Sequence, residues 1–129
     1  MSGRFLLDTN IVIAIFANEA NVQPQLVSAT EIFVPAIVLG ELYYGAYKSA
    51  RVPENIAKID GFATNSAVLV SDTATAHVYG QIKNALRAKG RPIPENDIWI
   101  AAIAMQYNLA LVTRDSHFGK VDGLVIETW

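Results

Sequence analysis

No cysteine occurs in the chain, which excludes disulfides, thiol catalysis and thiolate metal sites, and fits a reducing compartment. Charge is scarce, 17% of residues against 52% apolar, and that balance excludes a disordered, highly charged chain. Apolar runs long enough to span a membrane, ~18 residues, are missing too. A signal peptide is excluded because Asp8, Thr9 and Asn10 interrupt the apolar stretch behind Arg4. The expectation is a cytoplasmic protein with no membrane partner. There is no internal repeat, linker or low-complexity segment, so residues 1–129 read as one domain with room for a sizeable core.

What is present centres on residues 94–105. Every side chain from Ile98 to Met105 is apolar, so a helix here has no polar face and belongs inside a core. Asp97 stands at its start, and a carboxylate entering a core is expensive unless paired, capping or bound to a metal. One account makes Asn96 the N-cap and Asp97 an acid that complements the helix dipole. The other account has further acids meeting Asp97 at a shared site.

The rest of the chain alternates strands with helices. Phe5 to Leu7 predicts a buried strand ending at Asp8, with Asn10 capping a helix from Ile11 to Asn18. Thr30 to Val34 predicts a second strand, closed by Pro35. A helix from Ala36 to Ala50 carries Glu41 as its only charge before Gly45. Gly40 and Gly45 inside it cost ~1 kcal/mol each relative to alanine, which points to a close approach. Pro53 opens a helix to Thr64, and Ala67 to Val70 predicts a third strand. Ser71 or Asp72 caps a helix from Thr73 to Lys89, whose Ala76, Tyr79, Ile82 and Leu86 recur at core spacing. His77 on that helix is assigned to packing or surface. Leu109 to Thr113 predicts a fourth strand that delivers Asp115, His117-Phe118-Gly119 a turn, and Leu124 to Ile126 a last strand. This pattern predicts an α/β fold with a mostly parallel sheet covered on both faces. Ligands in such folds bind outside the carboxyl ends of the strands.

Four acids share that rim on this topology. Asp8 and Asp115 follow strand ends, Asp97 starts a buried helix, and Glu41 lies about two turns into a helix. Carboxylates so gathered need cations to stay ionised. An oxygen donor set without His or Cys suits Mg²⁺ or Mn²⁺ rather than zinc. The matching chemistry is metal-assisted phosphodiester cleavage, with cations lowering the pKa of the attacking water and stabilising the attacking and leaving oxygens. The net charge of −2 runs against a nucleic-acid binder. Even so, Lys83, Arg87, Lys89 and Arg91 bunch within nine residues, and with Arg114 they are candidates to hold an RNA backbone. A solvated helix face is the plainer account of the same charges. Tyr43, Tyr44 and Tyr47 crowd one helix and are candidates for a protein interface.

Taken in order, several motifs carry a resemblance. They are Leu7-Asp8-Thr9-Asn10, Glu41-Leu42 with Gly45, Asp97-Ile98-Trp99-Ile100-Ala101-Ala102, Leu111-Val112-Thr113-Arg114-Asp115 with His117-Phe118, and Gly123-Leu124 through Trp129. Together they resemble the PIN-domain ribonucleases, above all the VapC toxins of type II toxin–antitoxin pairs. The resemblance implies a three-layer α/β/α fold around a parallel five-stranded sheet of order 3-2-1-4-5. It further implies a Mg²⁺- or Mn²⁺-dependent endoribonuclease acting on RNA, a homodimer, and restraint by a cognate antitoxin, with DNA touched only through that antitoxin. By position, Asp8, Glu41 and Asp97 carry over as catalytic metal ligands. Thr9, Asn10, Asn96 and Thr113 carry over as residues that orient carboxylates or water. Asp115 departs from many relatives, where Asn follows the Thr-Arg pair. It is expected to bind metal directly, bind through water, or only shape the turn. His117 is assigned a structural role. Two further readings stay open: a phosphoryl-accepting signalling module with Asp8 as acceptor, and a catalytically silent PIN-like binding domain. A lone acid at the first strand and Arg114 after Thr113 argue against the former, and the full set of acids against the latter.

Overall fold

Strand β1 (Arg4–Leu7) runs through the centre of the molecule, with Phe5, Leu6 and Leu7 buried. Such an uninterrupted apolar run is what a strand covered on both faces requires. The computed structural model describes residues 3–129. Its sheet is parallel throughout, in the order β3-β2-β1-β4-β5. The other strands are β2 (Glu31–Pro35), β3 (Ala67–Leu69), β4 (Ala110–Val112) and β5 (Ile126–Glu127). The helices are α1 (Thr9–Phe16), α2 (Gln23–Ser28), α3 (Ala36–Tyr47), α4 (Val52–Thr64), α5 (Thr73–Ala88) and α6 (Glu95–Gln106). They complete the three-layer α/β/α architecture, with the strand order expected.

Register sets the position of the site. Leu6 pairs with Leu111 and Leu7 with Val112, so Asp8 and Thr113 are the next residues on adjacent strands, ~4.8 Å apart across the ladder. The chain passes from β1 to β2 and β3 on one side, then crosses back to β4 and β5 on the other. Strand order therefore reverses between β1 and β4, which is where open parallel sheets leave a crevice for ligands.

Helix α6 forms a buried wall of that crevice. Asp97, Ile98 and Ile100 through Ala104 are buried, and the helix packs chiefly on α5. It is less uniformly enclosed than its composition suggests. Trp99 is half-buried and stacked on Tyr79, with ring centroids 4.1 Å apart, and Met105 is exposed.

Several local assignments differ from the expectations drawn from the sequence. Asp8, not Asn10, caps α1, its carboxylate accepting the Thr9 N–H at 2.8 Å, because the helix starts immediately after the strand. Asn96 does not cap α6; Pro94 holds the cap position with no side-chain bond, and Asn96 reaches elsewhere. On α5, Ala76 is exposed and the buried positions are Thr75, Ile82 and Leu86. A capping box between Asp72 and Thr75, with Thr75 also donating to Gln106, turns the helix so that Thr75 faces inward. His77 is exposed. Gly40 and Gly45 are also exposed, with nothing within 4 Å of where a side chain would begin, so the expected close approach is absent. Helix α2 is an addition to the expected elements; it buries none of its own residues and so has no apolar periodicity to read.

Candidate functional site

Asp8 stands where β1 hands over to α1 and is only 5% exposed. One carboxylate oxygen accepts the Thr9 N–H. The other accepts the Thr113 hydroxyl at 2.7 Å and the Asn10 amide at 3.3 Å. Asn10 in turn accepts the backbone N–H of Arg114 at 3.2 Å, tying α1 to the segment after β4. Burial pushes the Asp8 carboxyl above its usual range. The Thr113 and Thr9 hydrogen bonds draw it back, while the charges of Glu41 and Asp115 push it up again.

Beyond β4 the chain turns sharply into a 3₁₀ helix, Ser116–Lys120. Asp115 starts it by accepting the His117 N–H at 2.9 Å, and its own N–H donates to Thr113 Oγ1 at 3.0 Å. Phe118, fully buried, anchors the turn in the core. The result aims Asp115 and His117 at Asp97 on α6. His117 Nδ1 lies 3.1 Å from Asp115 Oδ1 and 3.3 Å from Asp97 Oδ2. Donor atoms of Asp97, Asp115 and His117 all fall within 4.8 Å of one another. Burial lifts the Asp97 carboxyl to about 6; the hydrogen bond with His117 opposes the rise, and the charges of Asp115 and Asp8 add to it.

Glu41 approaches from α3. Its two oxygens accept from different elements, the Thr9 hydroxyl of α1 on one and the Asn96 amide of α6, at 3.3 Å, on the other. A cavity of about 320 Å³ opens beside it, lined by Thr9, Ile13, Phe16, Leu42, Lys58 and Ile59 among others.

Of the four predicted acids, the structure brings Asp97 and Asp115 together, with His117 beside them; Asp8 and Glu41 lie outside the group whose donors fall within 4.8 Å, although the charge of Asp8 acts on Asp97 and that of Glu41 on Asp8. Thr9, Asn10, Asn96 and Thr113 are each bonded to one of these acids or to the turn between them. His117 stands against two carboxylates, Asp115 and Asp97, and places a nitrogen beside a donor set expected to be all oxygen. Its two-residue spacing from Asp115, just past a strand end, is the sequence signal that points there. The basic candidates are less concentrated than their spacing suggests. Lys83 pairs with Glu95 at 2.8 Å, and Lys89 with Asp122 at 2.6 Å. Arg114 pairs with Glu19 at 2.8 Å and donates to the Trp129 carbonyl at 3.1 Å. Arg87 and Arg91 are exposed and, among the described residues, have no carboxylate partner.

Comparison with known proteins decides the family. Residues 5–124 match the PIN domain model. The chain is 37% identical to the tRNA(fMet)-specific endonuclease VapC of Shigella flexneri, over 98% of each chain. This chain belongs to the PIN-domain family, in its VapC group. The likeness extends to solved VapC structures. VapBC2 of Rickettsia felis, bound to a DNA fragment from its promoter, matches with a TM-score of 0.89 and 31% identity over 97% of this chain and 98% of that one. DNA-bound VapBC of Salmonella typhimurium matches with a TM-score of 0.89 and 34% identity over 98% of each. PIN nucleases use divalent metal ions. Two carboxylates and an imidazole within 4.8 Å, in the field of two further acids, form a donor set that fits such an ion.

Proposed function

We propose that this PIN domain is a VapC-type endoribonuclease, held in check by a cognate antitoxin, that cleaves RNA with Mg²⁺ or Mn²⁺ at the rim formed by Asp8, Glu41, Asp97 and Asp115. The observation that carries this reading is the convergence of donors from α6 and from the turn after β4, close enough to Asp8 for its charge to raise the Asp97 carboxyl. Asp97, Asp115 and Asp8 would hold the ion, and Glu41 would complete the set. A bound divalent ion supplies Lewis acidity toward phosphodiester oxygens and lowers the pKa of the attacking water.

The protein's own part is positioning. Thr113 and Asn10 fix the Asp8 carboxylate, while Thr9 and Asn96 fix that of Glu41, so the acids keep their orientation at a charged rim that would otherwise splay. Arg87 and Arg91, free of carboxylate partners among the described residues, are the cations best placed by chemistry to meet a phosphate backbone. The Shigella relative's name specifies initiator tRNA, which makes tRNA(fMet) the first substrate to try. The VapBC neighbours are toxin–antitoxin complexes, two of them on DNA, and they support an antitoxin partner through which DNA would be reached. Tyr44 and Tyr47, 65% and 67% exposed on α3, are the surface offered to that antitoxin or to a second copy in a homodimer. A signalling module with Asp8 as phosphoryl acceptor leaves the hydrogen-bonded placement of Glu41 without a purpose.

The test is cleavage of tRNA and of unstructured RNA by purified protein in Mg²⁺, in Mn²⁺ and in EDTA, with Asp8→Asn and Asp97→Asn alongside. Cleavage that needs a divalent ion and disappears in both variants supports the reading. Cleavage that persists in EDTA, or in both variants, sinks it.

A further inference from the structure

We propose that His117 contributes a nitrogen donor to this metal centre, so that the site favours Mn²⁺ over Mg²⁺ more strongly than carboxylates alone would. The inference rests on the metal-dependent reading above and adds to it one ligand and a selectivity.

The geometry points to this role. Of the two ring nitrogens it is Nδ1 that faces inward, 3.1 Å from Asp115 Oδ1 and 3.3 Å from Asp97 Oδ2. Metal–ligand bonds of about 2.1 Å put neighbouring donors of an octahedral ion about 3 Å apart. Nδ1 already stands near that spacing from each carboxylate oxygen, and all three donors fall within 4.8 Å of one another. The ring is held there by structure: the His117 N–H bonds to Asp115, and buried Phe118 pins the next residue. His117 itself is partly open to solvent, 43% exposed at the side chain.

Nitrogen donation has a chemical consequence. Mg²⁺ prefers oxygen and gives up its waters reluctantly, whereas imidazole suits transition-metal ions, whose affinities rise from Mn²⁺ onward. A site of carboxylates alone lacks this means of telling Mn²⁺ from Mg²⁺; one containing Nδ1 has it. The competing role is a hydrogen bond from Nδ1–H to the two carboxylates, which would steady them without touching the ion. The same distances serve both roles, so the experiment must look at the ion's own ligands.

The full-length protein loaded with Mn²⁺ provides that view through pulsed EPR, in which a directly bound imidazole imprints ¹⁴N modulation on the manganese signal. Only two histidines are present, and His77 is exposed on α5, so His77→Asn serves as the control. The expected result is ¹⁴N modulation in the wild type and in His77→Asn, absent in His117→Asn. Calorimetry should show His117→Asn losing about tenfold or more in Mn²⁺ affinity and less than about threefold in Mg²⁺ affinity. Mn²⁺ that binds the wild type without ¹⁴N modulation overturns the ligand assignment and leaves the metal-dependent reading standing. If neither ion binds the wild type, the ligand assignment and the metal-dependent reading both fall, and Mg²⁺ binding as tightly as Mn²⁺ overturns the selectivity. Should His117→Asn not fold, the wild-type and His77→Asn spectra decide the matter alone.

Discussion

The hydroxyl of Thr113 donates to Asp8 Oδ2 at 2.7 Å, joining residues 105 apart in the chain. The same oxygen atom of Thr113 accepts the Asp115 N–H, so one side chain orients a carboxylate at the end of β1 and another just past the end of β4.

Replacing Thr113 by valine keeps its shape and removes that donor. Asp8 is left with a buried oxygen served by Asn10 alone, and its carboxyl moves further above the usual range. A loss of ~1–3 kcal/mol follows from an unsatisfied buried polar group, to be read by urea denaturation in EDTA. RNA cleavage falls in parallel, and Thr113→Ser restores both. Equal stability of Thr113→Val and the wild type would show that the bond contributes nothing.

The raised Asp97 carboxyl has a sign that can be checked. Its folded value is about 6, above the ordinary 3.8, so the folded chain holds that proton more tightly than the unfolded chain. The metal-free protein therefore loses stability as pH rises from about 4 through about 6, and stays at the lower level above it. Asp97→Asn removes the charge, so it should melt higher than the wild type at pH 7.5 in EDTA, with the difference shrinking toward pH 4, while cleavage is abolished. A variant that melts lower at every pH would refute the account. Divalent ions compete with the same proton, so affinity drops by about tenfold per pH unit once the pH is below 6.

Phe118 links core packing to metal geometry. Phe118→Ala should cost ~3–5 kcal/mol as a buried aromatic truncation. The informative variant is Phe118→Leu, which keeps most of the packing and slackens the turn bearing Asp115 and His117. It is expected to fold with a modest drop in Tm and a clear drop in divalent-ion affinity, measured by thermal scans and calorimetry. Unchanged affinity would detach the turn from the metal centre.

The basic residues separate by their partners. Arg87→Ala and Arg91→Ala should weaken RNA binding regardless of sequence, and each phosphate no longer neutralised should flatten the log–log salt slope by ~0.7. Lys83→Ala and Lys89→Ala should do less, since Glu95 and Asp122 already engage those cations. Filter binding across a salt series, using an inactive Asp8→Asn background, reads both. A Lys83→Ala effect as large as that of Arg87→Ala would place RNA across the Lys83–Glu95 pair instead.

Strand ends are the most legible part of the site, because a buried apolar run that stops at an acid states both where a strand finishes and what it delivers. Asp8 and Asp115 stand out on that basis, and Glu41 because it is the lone charge on an otherwise apolar stretch. Polar residues with two possible jobs are harder. Asn96 satisfies every local rule for an N-cap, yet its amide is used 55 positions away on Glu41, and no local pattern encodes that. Asn10 yields the capping role to Asp8 for a similar reason: the helix begins earlier than propensity indicates. On α5 Ile82 and Leu86 are buried as apolar spacing puts them, but at the start of the helix Thr75 takes the inward place expected of Ala76, because, though polar, it is held there by Asp72 and Gln106. His117 belongs with these, since its value lies in Asp97, which only the folded chain brings near.

The bond between Thr113 and Asp8 also ties site assembly to the order in which the sheet forms. Its partners lie 105 positions apart, so making it means closing a long loop, and it needs β4 already paired beside β1. The carboxylate at the end of β1 is therefore aimed only once the two central strands are in register, and a local parting of that pair would release it while the outer helices still hold.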